Sequence, residues 1–179
     1  MATPTTLPAS FTAGQVLTAA QMNDLRGAFR VLQTVSATKT DVFTLTSTTY
    51  TDVTGLSVSI TPSSTTSKIL IFAAINGAGD TGVSSGSMQV VRGATPISVG
   101  DTAGSRVSNS ATFVASGSAI YSGVSVHLDS PSTTSATTYK IQVRSNVSGT
   151  VNVNKTDNDA DQADFSRSAS SITVMEISA

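Results

Sequence analysis

Acid–base and nucleophilic catalysis draws on few side-chain types, and this chain is almost empty of them: it holds one histidine, His127, one glutamate, Glu176, and no cysteine. His127 lies in Val124-Ser125-Val126-His127-Leu128-Asp129, where a period of two puts Ser125, His127 and Asp129 on the face opposite Val124, Val126 and Leu128. A serine, a histidine and an aspartate together suggest a hydrolase triad. Side chains two apart on one strand are, however, roughly 7 Å apart, and no sharp nucleophile turn or oxyanion loop accompanies them. His127 is therefore read as facing solvent or a subunit contact, and the chain as no enzyme.

The run Asp157-Asn158-Asp159-Ala160-Asp161-Gln162-Ala163-Asp164 places carboxylates at the first, third and fifth positions of a loop, as oxygen-rich calcium sites do. The glycine and glutamate that an EF-hand needs later in the loop are Gln162 and Ser168 here. The expectation is no cofactor. Asp157, Asp159 and Asp161 are the candidate ligands for a structural calcium ion, against the alternative of a solvated loop between the last two strands. Asn76-Gly77-Ala78-Gly79-Asp80-Thr81-Gly82 is glycine-rich but lacks the Gly-Lys-Ser/Thr ending of a phosphate loop, so it reads as a surface loop. Tyr50, Tyr121 and Tyr139 are a thin basis for a sugar site.

Composition points away from chemistry and toward architecture. Serine and threonine number 29 and 28 of 179 residues, while the strong helix formers Glu, Lys and Gln are scarce. Threonine favours strands and serine favours turns. With aromatics at 5% and no tryptophan, the core must come from Val, Ile, Leu and Ala. A net charge of −1 from ten basic and eleven acidic residues leaves no electrostatic footprint for nucleic acid or anionic lipid. No apolar run approaches the roughly 20 residues of a membrane helix, so no membrane insertion is expected. Met1–Pro8 carry neither a basic cluster nor an apolar stretch, and no export signal is expected.

Three parts follow along the chain. Residues 1–17, with Pro4, Pro8 and Gly14, read as an extended arm, whose apolar Leu7, Phe11 and Val16 are the candidate particle anchors. Thr18-Ala19-Ala20-Gln21 matches a capping box and predicts a short amphipathic helix over 18–33. Met22, Leu25, Phe29 and Leu32, spaced 3, 4 and 3, form the a/d seam of two heptads. A helix this short is marginal alone. Its seam must be buried against copies of itself, the preferred reading, or against its own domain or a different protein.

From residue 34 to 179 the period is two, with turn residues every 8–15 positions, which predicts eight to ten strands in a sandwich or jelly roll. Leu56, Val58 and Ile60 alternate with Ser57 and Ser59. Lys68–Ile75 is apolar on both faces and predicts a central strand covered on one side by a second sheet and on the other by the helix or another subunit. The fold class expected is all-β: an antiparallel β-sandwich or jelly-roll-like domain, preceded by an extended N-terminal arm and one short coiled-coil-like α-helix.

Two stretches carry a family resemblance. Phe11-Thr12-Ala13-Gly14-Gln15-Val16-Leu17-Thr18-Ala19-Ala20-Gln21-Met22-Asn23 resembles a stretch near the start of tailed-bacteriophage structural proteins. The segments Tyr50–Leu56, Ile60-Thr61-Pro62, Lys68-Ile69-Leu70, Leu128-Asp129-Ser130-Pro131, Tyr139-Lys140 and Ser171–Ile177 look like a phage tail or head-fibre β domain. The resemblance implies a structural protein of the virion, a homotrimeric fibre or capsid decoration subunit. Its partners would be phage capsid or tail proteins, with the arm fixed to the particle and the β domain exposed. It supplies no residue-level contacts. The alternative is a receptor-binding tail-fibre module that recognises host-surface glycans.

Overall fold

The computed structural model describes residues 13, 14, 16, 18, 19, 22, 31–80, 82, 85–113 and 119–178. The described residues form eleven strands: β1 (Val31–Lys39), β2 (Phe43–Leu45), β3 (Thr51–Ile60), β4 (Lys68–Gly79), β5 (Gly86–Arg92), β6 (Thr95–Ile97), β7 (Ala111–Phe113), β8 (Tyr121–Asp129), β9 (Thr137–Ser145), β10 (Val151–Val153) and β11 (Ser170–Ile177). They make two antiparallel sheets packed face to face. The larger runs β1-β11-β4-β10-β2, with β8 on the other side of β4; the smaller runs β3-β9-β5-β6, with β7 also on β5. The all-β sandwich expected from the threonine- and valine-rich alternation is the observed architecture.

Alternation builds the interior. Leu56 and Ile60 of β3, Ile69, Ile71 and Ile75 of β4, and Ile172 of β11 are at most 2% exposed and interlock between the sheets. At roughly 1.5–3 kcal/mol for each fully buried side chain of this kind, such positions dominate the stability of the domain. The glycine-rich stretch expected as a surface loop instead continues β4 to Gly79. A Cβ on Gly77 would sit 2.2 Å from the Asn152 carbonyl oxygen and 3.1 Å from the Phe113 ring. Glycine there serves close strand approach rather than loop freedom.

The predicted helix is corrected at its C-terminal end. Val31, Leu32 and Gln33, expected in its last turn, belong to β1, which pairs with β11 through Val31↔Ile177 and Gln33↔Glu176. The residues of β1 alternate, and the free edge of β11 supplies ladder partners that a two-heptad helix cannot match. Leu32 therefore leaves the a/d seam and stands 45% exposed on the strand.

The single glutamate has a structural use that its position in the last strand conceals. Glu176 is fully buried. Its Oε1 accepts from the Ser63 amide (2.7 Å) and hydroxyl (2.6 Å), and its Oε2 from Gln33 Nε2 (2.6 Å). It thus ties β1 and the β3–β4 connection to β11. Burial alone would raise its pKa; the hydrogen bonds from Ser63, Gln33 and Ser67 overcome that and hold it at about 2, below the ordinary 4.5. Because the folded pKa is the lower one, this contribution is complete above the ordinary value and is lost as pH falls from 4.5 to about 2. Urea unfolding across that window should show stability falling with pH. Glu176→Gln should cost about 1–3 kcal/mol at neutral pH and flatten the acid limb; an unflattened limb would assign it to other carboxylates.

Candidate functional site: the outer face of the larger sheet

Strand β8 is built inside out. Its alternation is as expected, but Val124, Val126 and Leu128 face away from the sandwich at 58%, 56% and 53% exposure, while Ser125 and Asp129 are buried. The cause lies on its inward face. Gly123 leaves little room for a side chain: a Cβ would stand 3.2 Å from both Ile75 Cγ2 and Phe113 Cβ. Ser125 lies 3.5 Å, hydroxyl to hydroxyl, from Ser98. At the end of the strand Asp129 accepts two bonds from Arg92 Nη1 (2.8 and 3.0 Å) and one from the Tyr139 hydroxyl (2.7 Å), both from the opposite sheet. Burial, followed by the bond to Asp129 and its charge, pushes the Tyr139 phenol far above its usual range.

His127, expected to face solvent or a subunit contact, shares the inward, polar side of β8 and is half-buried. The Asp129 carboxylate is bound to Arg92 and Tyr139, so Ser125, His127 and Asp129 are not arranged as a relay. Tyr139 is a core residue, which also removes it from any tyrosine-lined sugar site.

The valines that point outward do not stand alone. Register across β8, β4 and β11 sets Leu128 beside Leu70 and Leu70 beside Met175. Val126 stands beside Phe72, and Val124 beside Ala74. Phe72 is 41% exposed, and Leu70, Ala74 and Met175 are half-buried. On the flank toward β1 the face becomes hydroxyl-lined, with Ser36 Oγ 2.8 Å from Thr173 Oγ1. Among the outward positions of β1, β11, β4 and β8, Lys68 at the corner is the charged one. Beyond β8 the described residues add no further strand to the sheet.

The outer face of the smaller sheet is of the opposite kind. There Lys140 Nζ donates to Asp52 (2.7 Å), Gln142 donates to the same carboxylate (2.6 Å), and Gln89 donates to Gln142 (2.6 Å). The bond from Lys140, aided by Gln142, lowers the Asp52 pKa. Such ion-paired, amide-rich surfaces are at home in water. Apolar, charge-depleted ones mark the centres of interfaces, and an unguarded apolar edge strand is one that proteins ordinarily protect with charge, proline or a partner.

The other residues singled out from the sequence fall elsewhere. Of the seam, Met22 is 53% exposed and its amide donates to the Thr18 carbonyl (3.0 Å), a helical bond at the capping position. Leu25 and Phe29 lie outside the described residues. Of the arm, Val16 is 86% exposed, and Leu7 and Phe11 lie outside the described residues. In the acidic loop, Asp159 is held by Arg167 through paired bonds of 2.8 and 2.6 Å, with Lys155 at 4.0 Å. Among the described residues no three His, Asp or Glu side chains converge as metal ligands, so Asp157 and Asp161 do not join Asp159 in a cage. No helix among them is long and apolar enough to cross a membrane. The sequence signal for this face is Lys68–Ile75, apolar on both sides, whose second side is expected to meet the helix or another subunit.

Comparison with protein-family models and with curated proteins finds no match for this chain. The inverted strand makes an unusual mutational prediction. At a dilution where the chain is single, Val126→Ser should change urea-unfolding stability by no more than about 0.5 kcal/mol. Asp129→Ala, which strands the buried Tyr139 hydroxyl and removes the carboxylate partner of the half-buried Arg92, should cost about 1–3 kcal/mol. The opposite ranking would show that the valines are buried in the isolated chain.

Proposed function

We propose that this protein is a non-catalytic structural subunit of a bacteriophage virion, a homotrimeric fibre or capsid decoration component held to the particle by its N-terminal arm. One observation carries the reading: the apolar, charge-poor outer face of β8, β4 and β11 on a chain whose opposite face carries the ion-paired, amide-rich set Asp52, Lys140, Gln142 and Gln89. A surface of that kind is concealed in an assembly, and the core between the two sheets is filled among the described residues. The resemblance of Phe11–Asn23 and of the β segments to tailed-phage structural proteins supports placing the assembly in a virion. In that assembly the ion-paired face of the smaller sheet is the one left to solvent.

Light scattering on the purified full chain at micromolar concentration tests this, with a mass of three chains expected. Phe72→Asp combined with Val126→Asp should reduce it to one chain, because charges would be driven into a desolvated contact. Asp52→Ala on the other sheet should leave the trimer intact. A wild-type protein of single-chain mass would refute the self-assembly on which the reading stands.

A further inference from the structure

We infer that the apolar face of β8 and β4 is covered by residues 18–30 of a neighbouring copy, so that each subunit lends its N-terminal helical segment to the next. The inference rests on the self-assembly proposed above and specifies its contact. Its starting point is a mismatch of size. Between the rows Met175–Leu70–Leu128 and Ser171–Ala74–Val124 the patch is three strands wide and five residues long. Strand spacing and rise make that about 10 Å by about 14 Å. Even with the side chains at its margins, this is well under half of the about 800 Å² that each partner of a stable complex buries. Two such patches pressed together would not hold two sandwiches.

One helix would fill it. The segment left between the arm and Val31 runs from Thr18 to residue 30, about 20 Å of helix with a diameter of about 10 Å. Its first turn is marked by the Thr18–Met22 backbone bond. Met22, Leu25 and Phe29 form one stripe at helical spacing. The stripe runs about 10 Å along the axis, which fits within the about 14 Å length of the patch. Neither stretch bears a charge among its apolar positions, and the described members are open: Met22 is 53% exposed while Val124, Val126 and Phe72 are 58%, 56% and 41% exposed. Two complementary apolar stretches on the same molecule fit head-to-tail exchange, which closes into a ring when the rotation between copies allows it.

The absence of native cysteine makes the test clean. Leu25→Cys is combined with Val126→Cys or with Phe72→Cys in the full chain, so that mid-segment meets mid-face whichever way the helix runs. The samples are oxidised with diamide, then run on a non-reducing gel and weighed by scattering. The expected result is linkage between chains, with bands at two and three chain masses from at least one pair and from none of the single-cysteine variants. Self-linkage of Leu25→Cys alone would show helices bundled on a common axis and overturn the exchange. A linked single chain, with its thiols consumed and no higher band, would show that each segment covers its own domain. A trimer by scattering with no linkage in either pair would also defeat the inference while leaving self-assembly standing; a single-chain mass would defeat both.

Discussion

The carboxylate of Asp129 decides which way β8 faces. Side chains on a strand alternate, so fixing one residue inward fixes every second neighbour inward and the rest outward. Asp129 is drawn in by Arg92 and Tyr139, two groups of the opposite sheet that satisfy one another through it. An ionised carboxylate without those donors could not stay there, and without the carboxylate the Tyr139 hydroxyl would be left buried and unpaired. The narrow passage at Gly123 agrees with the same register from the other end of the strand. Slipping β8 by one residue would bury its valines and cast this whole network into water.

The consequence reaches the neighbouring strand. Once Val124, Val126 and Leu128 face outward, the outward residues of β4 gain apolar neighbours, and scattered exposed side chains become one continuous patch. Single exposed apolar residues are ordinary; contiguous ones on an edge strand are not. The stability of the sandwich and its capacity to associate are thus joined. The polar contacts that lock β8 into the fold are the contacts that display its valines.

Much of the fold could be read from residue order, and what could not has a definite physical reason. Leu56-Ser57-Val58-Ser59-Ile60, the doubly apolar Ile69–Ile75, and Tyr139, Ile141 and Val143 announced their strands because alternation reports burial when the interior is apolar. In β8 the same alternation was visible, but its sense depends on Arg92 and Tyr139, 37 and 10 residues away in sequence. Periodicity carries no such information. Gly77 looked like a loop residue because a close backbone approach leaves no mark in sequence except the glycine itself. Val31, Leu32 and Gln33 fit a heptad as well as a strand, and only the waiting edge of β11 decides between them. Glu176 looked incidental as one acidic residue in a terminal strand, and its three hydrogen-bonded oxygen contacts come from segments more than a hundred residues away.

The candidate site was half legible for the same reason. The apolar character of Phe72, Val126 and Leu128 was plain, but exposure is a property of the assembled sheets. The most direct check places a thiol reporter at the centre of the face by Val126→Cys, in a chain with no other cysteine, and follows its alkylation rate across a dilution series. Slow labelling in concentrated protein that accelerates toward the rate of an open thiol on dilution would show the patch sealed between copies. Rapid labelling at every concentration would show a surface that meets water throughout, and the assembly account would fall.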